Sequence, residues 1–404
     1  MSWEKDKLEK HAKVISGYAF KSNDFNNSGG TPVIKIKNIQ KEHVEINDEY
    51  YVDNSFLGID SRFHCIKDDI LISLTGSHIT LPNSVVGRVA KYQYDFISLL
   101  NQRAGKVLIT NPSKLDNNFL YYFLCLQDTR ITLAQFGRGG ANQCNISPSN
   151  VESIDVILPP LPTQKKIASI LSAYDDLIEN NLKRIKLLEE AAQNIYKEWF
   201  VNFRFPGWEN TKFDKETGLP VGWNYKTLGE SCQLVMGQSP ESEFYNEKGD
   251  GLPFHQGVTG YGQRFVKHST YCIKQTRIAN EGDILCSVRA PVGRLNISPD
   301  KIIIGRGLSA IRNKNGFQSY QFYQLKNHFF QEDMIGGGAI FNSVTKKDLE
   351  SQQLIQPSKS IVTNFEQIIK PIDLQISNLD KQNQKLKEAR DILLPRLMNQ
   401  TIEV

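Results

Sequence analysis

The sequence lacks the cysteine and histidine patterns that would tie it to a metal or to a disulfide framework. Its six cysteines stand singly, with no C-x-x-C pair, and its seven histidines form no H-x-x-x-H motif or His/Cys cluster. Zinc sites need such spacings, because neighbouring ligands usually come from one short loop or helix face. We therefore expect no structural metal, and we interpret the cysteines as reduced thiols.

Long hydrophobic runs and a large excess of one charge are also missing. No stretch approaches the roughly eighteen apolar residues that a membrane-spanning helix needs, and the N-terminus lacks the apolar core of a signal peptide. The formal net charge is only +4 over 404 residues, so charge alone does not indicate a nucleic-acid partner. We expect a cytoplasmic protein of roughly two to three domains, with no membrane contact.

The chain repeats itself once. Residues 69–76 (DILISLTG) recur as residues 283–290 (DILCSVRA). Residues 139–152 and 337–350 align without a gap, and both begin with Gly-Gly-Ala. The repeat is far too long for a solenoid, so the sequence predicts a duplicated domain whose two copies have diverged.

Each copy combines short strands with a helical stretch and then a long helix. Runs of β-branched and aromatic residues between glycines predict the strands, and residues 115–132 carry an apolar face at helical spacing. Prolines precede each long helix, where they fit a helix start. The predicted boundaries are a first mixed domain at 1–157, a central helix at 158–205, a second mixed domain at 206–357 and a C-terminal helix at 358–404.

Both long helices carry apolar residues at alternating spacings of three and four. These residues are Ile167, Leu171, Tyr174, Ile178, Ile185, Leu188, Ala192, Ile195 and Trp199, then Phe365, Ile369, Ile372, Ile376, Leu379, Leu386, Leu393 and Leu397. Such a pattern is typical of a coiled-coil seam. We therefore predict an α+β fold in which two tandem mixed α/β domains are separated by two long helices that form an antiparallel coiled coil, with pseudo-twofold symmetry.

Two asparagines interrupt the predicted seam. Asn181 and Asn383 face each other if the two apolar runs are laid antiparallel with their centres aligned. A polar pair in an apolar seam fixes the register at some cost in stability. The alternatives are a coincidence of spacing or two surface asparagines.

Several motifs along the whole chain resemble one known family. Residues 158–167 (LPPLPTQKKI) are similar to the end of the first target-recognition domain in specificity subunits of type I restriction–modification enzymes. Residues 199–206 (WFVNFRFP) and 219–223 (LPVGW) resemble that family's connection to the second domain. Residues 393–398 (LLPRLM) resemble its C-terminal end, and residues 17–22 (GYAFKS) its beginning.

The resemblance implies a sequence reader without a catalytic site. Each mixed domain would read half of an asymmetric, two-part site in double-stranded DNA, and the coiled coil would set the gap between the halves. Two modification (methyltransferase) subunits, which bind S-adenosylmethionine, would dock on the chain, and restriction (translocase/nuclease) subunits would join them. No cofactor is expected in this chain.

Two loops in each copy carry residue types that suit DNA recognition. Arginine and amide side chains read base edges, while hydroxyls, lysines and glycine backbones contact phosphates. The candidate DNA-binding residues are Thr75, Gly76, Ser77, Arg103, Arg138, Gly139, Asn142, Gln143 and Asn145 in the first copy, and Arg289, Arg306, Gly337, Phe341, Asn342, Ser343 and Lys346 in the second. The candidate coiled-coil and partner residues are Asn181, Ile185, Leu188, Trp199, Ile376, Leu379, Asn383, Leu386 and Leu393.

Simpler interpretations stand beside these. A glycine-rich loop before a strand is often only a turn, although its duplication favours a function. Arg88 and Arg294 lie in matching Val-Gly-Arg turns and serve either the fold or the DNA, and Arg103 and Arg306 lie in roughly matching places. Three histidines are interpreted as surface or hydrogen-bonded residues rather than ligands: His64, His78 and His255. Three aromatic residues are either local core or a surface for a partner: Trp199, Phe200 and Phe203.

Two rival classes of protein remain for comparison. A DNA adenine methyltransferase would need an Asn/Asp-Pro-Pro-aromatic motif and a glycine-rich cofactor loop, and neither is present. There is also no Walker A loop and no carboxylate cluster suited to a nuclease metal. A coiled-coil structural scaffold would explain the helices and the repeat, but not the family motifs.

Overall fold

The structure is a computed structural model that describes residues 3–26, 29–46, 50–81, 84–137, 143–331 and 343–404. The chain divides into two compact units. Unit 1 comprises Met1–Asn180 and Asn383–Val404, and unit 2 comprises Asn181–Gln382. Each long helix therefore contributes one segment to each unit.

Most of the short strands of unit 1 precede its three short α-helices, and its last two strands come before and after the third of these helices. The strands are Glu4–Lys7, Ala12–Ser16, Phe25–Asn26, Thr31–Ile34, Glu42–His43, Tyr51–Val52, His64–Cys65, Ile70–Ser73, Thr75–Gly76, Val89–Lys91, Ser98–Leu100, Ala104–Ile109, Cys144–Asn145 and Asp155–Leu158. The short α-helices are Asn117–Cys125, Gln127–Gln135 and Pro148–Glu152.

Unit 2 follows the same plan. Its strands are Asn224–Thr227, Cys232–Met236, Tyr245–Asn246, Leu252–His255, Tyr271–Cys272, Ile278–Ala279, Ile284–Ser287, Leu295–Ile297, Ile302–Ile304, Leu308–Asn313 and Gln353–Gln356. Its short α-helices are Leu228–Ser231, Gln318–Gln331 and Lys346–Glu350.

The strand orders confirm the duplication. In unit 1, Ala12–Ser16, Ala104–Ile109, Ile70–Ser73 and Val89–Lys91 lie side by side in that order. Unit 2 repeats the order with Cys232–Met236, Leu308–Asn313, Ile284–Ser287 and Leu295–Ile297. A five-stranded sheet recurs in the same way in both units. Both copies of the repeat therefore have one topology.

The predicted single helix at 115–132 is wrong in one respect. The structure has two helices there, Asn117–Cys125 and Gln127–Gln135, separated by Leu126 in an extended conformation (φ −58°, ψ 137°). Leu126 packs against the core of unit 1.

The two long helices begin just after the prolines. They span Leu161–Tyr196, followed by a π-helical turn at Lys197–Val201, and Lys359–Met398. Among the described residues, no helix combines the length and the apolar character needed to cross a membrane.

The helix segments run antiparallel within unit 1. Leu397 shares the core with Ile167, and further along Arg390 donates to Asp175 over 2.5 Å. Moving towards the C-terminus of the first helix therefore means moving towards the N-terminus of the second. This confirms the predicted antiparallel seam for this unit.

Unit 2 shows the same antiparallel direction. The Asn181 amide donates to Gln382 Oε1 over 3.1 Å, Ile185 packs with Leu379, and Phe200 packs on Phe365. In unit 1 the Asn383 amide reaches the carbonyl of Ile178 at 3.5 Å. The direct pairing of Asn181 with Asn383 stays a prediction.

Candidate nucleic-acid interface

The two loops predicted for the first copy lie side by side in unit 1. Thr75 and Gly76 form a short strand that pairs antiparallel with Cys144 and Asn145. A glycine is needed at position 76, because a Cβ atom there would lie 2.5 Å from the backbone nitrogen of Val86. The Asn145 side chain is exposed, whereas Thr75 is buried.

The matching loops of the second copy also lie side by side in unit 2. Arg289 pairs antiparallel with Ser343, and the amide of Val344 donates to the carbonyl of Val288 over 2.8 Å. The sequence therefore identified, in both copies, two loops that the fold brings together.

A third strand end completes each site. In unit 1 the Leu74 amide donates to the Arg103 carbonyl, and in unit 2 the Val288 amide donates to the Gly307 carbonyl. Arg103 therefore matches Gly307. Arg103 and Arg306 were expected to lie in roughly matching places, and the strand register puts them one residue apart.

One polar residue from each of the three strand ends forms what we call the polar row. Ser73 pairs with Ala104 in unit 1, and Ser287 pairs with Leu308 in unit 2. Continuing each pairing by two residues beyond the serine gives the members of the polar row on these two strand ends. The polar row of unit 1 is Gln102, Thr75 and Asn145, and that of unit 2 is Arg306, Arg289 and Ser343. Gln102 is not among the DNA-binding residues predicted from the sequence, which include the adjacent Arg103.

The polar row of unit 2 borders a cavity of about 400 Å³. Arg289 and Arg306 both line it, together with Ser287, Gln256 and Thr259. Both arginine side chains are exposed. Neither makes a side-chain hydrogen bond or an ion pair with any residue that the structure describes. Two cationic groups therefore line one cavity, Arg289 on a loop selected from the sequence and Arg306 on the third strand end.

The remaining predicted binding residues have more ordinary surroundings or lie outside the described residues. The carbonyl of Ser77 accepts a hydrogen bond from a serine hydroxyl at 2.6 Å, Gln143 donates to Asn145 over 3.3 Å, and Lys346 forms an exposed ion pair within its own helix. The predicted residues that lie outside the described parts are Arg138, Gly139, Asn142, Gly337, Phe341 and Asn342.

Arg88 serves the fold, whereas its counterpart Arg294 is exposed. The Arg88 guanidinium donates to the carbonyl of Ser84 over 3.2 Å, and Arg130 donates to the same carbonyl over 2.6 Å. Burial lowers the pKa of both arginines, and for Arg130 the neighbouring positive charge of Arg88 lowers it further. Arg294 makes no side-chain contact of this kind within the described residues, so the matching turns are used differently in the two units.

A tyrosine, an aspartate and an arginine join the two long helices to the helix Asn117–Cys125 in unit 1. The Tyr122 hydroxyl donates to Asp175 over 2.6 Å, and Arg390 donates to the other carboxylate oxygen. Asp175 lies on the first long helix and Arg390 on the second. This Tyr–Asp–Arg cluster joins three elements of the unit.

Unit 2 has an equivalent cluster with an arginine from a different element. Tyr323 donates to Asp373 over 3.0 Å, and Arg264 donates to both Asp373 (2.5 Å) and the Tyr323 hydroxyl (2.9 Å). Glu189 lies 3.6 Å from the same guanidinium. The Arg264 side chain is only 3% exposed, so its charge depends on these partners.

A buried histidine lies beside the cavity of unit 2. His255 precedes the cavity-lining Gln256, and its Nε2 lies 2.9 Å from Nδ1 of His268, whose Nε2 lies 3.3 Å from Asp300. Burial, and secondarily the charge of His268, lowers the pKa of His255 to about 4. The expectation that His255 is hydrogen-bonded rather than a ligand agrees with these contacts.

The lowered pKa of His255 predicts that unit 2 loses stability in mild acid. In the unfolded chain this histidine has a pKa near 6.5 and therefore binds a proton below about that pH. In the folded state it binds a proton only when the pH falls to about 4. Protons therefore favour unfolding as the pH falls from about 6.5 to 4, by about 3 kcal/mol in full. Urea unfolding followed by tryptophan fluorescence at several pH values measures this loss.

The change of stability with pH, rather than stability at one pH, is the informative quantity. His255→Gln is expected to flatten the dependence between about pH 6.5 and 5. An unchanged slope in the His255 variant contradicts the assignment.

Together these features define a class of protein. It is a duplicated protein whose two units have the same strand order, and the polar rows at equivalent places in the two units differ in chemistry. Within the described ranges no group of three or more His, Cys, Asp or Glu residues is placed to hold a metal ion. The chain has polar rows at equivalent places in the two units.

Comparisons with known proteins assign the family. The chain matches the family described as "Type I restriction modification DNA specificity domain" over residues 2–190 and 220–388. It is 32% identical over its whole length to a putative type I restriction enzyme MjaX specificity subunit of Methanocaldococcus jannaschii, covering 94% of that protein. It is 28% identical to the MjaIX specificity subunit of the same organism, over 70% of this chain and 68% of that one.

A solved structure has the same fold. The type I restriction–modification S subunit from M. genitalium superposes with a TM-score of 0.58 at 17% sequence identity, covering 98% of this chain and 96% of that chain. The chain belongs to the family of type I restriction–modification specificity subunits. This confirms the family that the sequence motifs predicted, and it argues against the methyltransferase interpretation because the relatives are specificity subunits.

Proposed function

We propose that this chain is the DNA-recognition subunit of a type I restriction–modification complex and that its two units read the two halves of an asymmetric site in double-stranded DNA. The observation that carries the proposal is the pair of polar rows. They occupy equivalent strand ends, yet one contains Gln, Thr and Asn and the other contains two arginines and a serine. Equivalent positions with different chemistry suit recognition of two different half-sites.

We further propose that the chain holds the other subunits of the complex. The long helices expose large apolar side chains away from their seams, among them Leu177 and Ile392 in unit 1 and Leu187 and Leu374 in unit 2, each more than half exposed. We propose that partner subunits packing along the helices cover these side chains and so remove apolar surface from water. The occupants proposed are two modification (methyltransferase) subunits, which would supply S-adenosylmethionine, and restriction (translocase/nuclease) subunits.

Exchange of one domain tests the reading function. Residues 1–157 are replaced by the corresponding domain of another specificity subunit, and the complex with its modification subunits is assayed by sequencing the methylated DNA. We expect one half of the recognised sequence to change and the other half to stay, because each unit carries its own polar row.

Two outcomes contradict the proposal. Changes in both halves would mean that the units do not read separately. Methylation or DNA retention without sequence dependence in the wild-type complex would favour a structural scaffold. A control chain with the original domain restored must recover the original sequence.

A further inference from the structure

The polar row of unit 2 contains two arginines that the fold does not use. Ser287 pairs with Leu308, and the amide of Val288 donates to the carbonyl of Gly307. Continuing by one more residue on each strand leads to Arg289 and Arg306. Arg289 also pairs with Ser343 on its other side. The two arginines therefore lie on neighbouring strand ends, and both line the same cavity.

Other arginines of the chain show what a structural role looks like here. Arg88 binds a backbone carbonyl, Arg264 is buried between carboxylates, and Arg390 binds Asp175. Arg289 and Arg306 are exposed and make no such side-chain contact with the described residues. Exposed arginine side chains that the protein itself does not bind are available to a negative or electron-rich ligand, which the guanidinium fork can bind through two hydrogen bonds.

The polar row of unit 1 has different chemistry at the same places. Gln102 replaces Arg306, Thr75 replaces Arg289 and Asn145 replaces Ser343. Gln102 and Asn145 are exposed. Amide side chains offer one donor and one acceptor, which match N6 and N7 of adenine, whereas the arginine fork matches O6 and N7 of guanine.

We propose that the polar rows are the base-reading elements of the two units: Arg289 and Arg306 read guanine in one half-site, and Gln102 and Asn145 read adenine in the other. The inference rests on the proposed function, and adds to it the residues and the bases. The same arginines bound only to phosphates would raise affinity without any preference for sequence, and the experiment separates the two cases.

The test uses the full chain assembled with its modification subunits. Methylation rates are measured on duplexes that carry every single base change in each half-site, for the wild type and for Arg289→Ala, Arg306→Ala and Gln102→Ala. We expect each arginine variant to lose its preference for one guanine in the half-site of unit 2, on the order of tenfold or more. Gln102→Ala is expected to lose preference for one adenine in the other half-site only.

Two further variants serve as controls. Arg294→Ala removes an exposed arginine of unit 2 that does not line the cavity, and it is expected to leave base preference unchanged. Arg289→Lys keeps the charge but loses the fork, so it is expected to lose most of the guanine preference. Since the replaced side chains are exposed, urea unfolding should match the wild type in every variant.

The outcomes are distinct. A uniform loss of methylation across all sequences in Arg289→Ala and Arg306→Ala would overturn the inference in favour of phosphate contacts, as would a unit 2 half-site without guanine. Failure of the proposed function would show itself earlier, as a wild-type complex whose methylation does not depend on sequence.

Discussion

Asp373→Ala is expected to destabilise unit 2 by about 3–5 kcal/mol. The carboxylate accepts hydrogen bonds from Arg264 and Tyr323, and Arg264 is 3% exposed. An arginine side chain cannot lose its proton to escape burial. Without Asp373 its remaining carboxylate partner is Glu189 at 3.6 Å, so a buried charge is left poorly compensated.

The measurement follows from where the tryptophans lie. Trp199, Trp208 and Trp223, three of the four in the chain, belong to unit 2. The urea midpoint followed by tryptophan fluorescence therefore reports mainly on the unit that carries the substitution. The difference in free energy of unfolding between wild type and variant gives the effect.

A surface ion pair of similar length is the matched control. Lys274 and Glu241 are 2.6 Å apart, but their side chains are 44% and 63% exposed. Glu241→Ala is expected to cost no more than about 1 kcal/mol, because water and salt screen the pair. Equal losses in the two variants would show that burial does not decide the energy. Replacing both partners, as Arg264→Met with Asp373→Leu, is expected to recover much of the loss.

The two Tyr–Asp–Arg clusters occupy equivalent places in the two units but take their arginine from different elements. Asp175 and Asp373 lie at equivalent places on the two long helices, and each accepts a hydrogen bond from the equivalent tyrosine. The arginine comes from the opposite helix in unit 1 and from a loop among the strands in unit 2. Each unit thus joins a short helix to its long-helix segments by a charge network in which the arginine has a different origin.

Local patterns in the sequence predicted the elements of the fold well. The repeated run at 69–76 and 283–290 becomes the strands Ile70–Ser73 and Ile284–Ser287, each in the same place in its sheet. The seam pattern predicted long helices that pack antiparallel in each unit. These features depend on spacing along the chain, which determines which side chains share a face.

Contacts between distant residues were not predictable in the same way. Arg264 and Asp373 lie far apart in sequence, and nothing in either neighbourhood indicates that they meet. Gln102 is not among the residues predicted from the sequence, because its place in the polar row depends on strand register. A shift of one residue in the register moves each side chain of a strand to the opposite face of the sheet. The helix break at Leu126 is not indicated by any glycine or proline in residues 115–135. Each of these follows from tertiary packing.

From the sequence alone, Trp199 and Phe200 belong either to the local core or to a surface that binds a partner subunit. Trp199 is 8% exposed and Phe200 is 1% exposed, and both belong to the core of unit 2. The Phe200 ring lies 4.9 Å from that of Tyr320 and 5.1 Å from that of Phe365. The aromatic cluster therefore joins the π-helical turn, the second long helix and the helix at Gln318–Gln331.

Phe200→Ala is accordingly expected to lower the free energy of unfolding of unit 2 by about 3–5 kcal/mol, because it removes a large buried side chain and leaves a cavity among rigid rings. Val201→Ala, at the neighbouring and 37% exposed position, is expected to change it by about 0.5 kcal/mol or less. Urea unfolding of the isolated chain, without modification subunits, is the measurement. If the isolated Phe200 variant were as stable as the wild type and only the assembled complex were weakened, the ring would belong to a partner surface and not to the core.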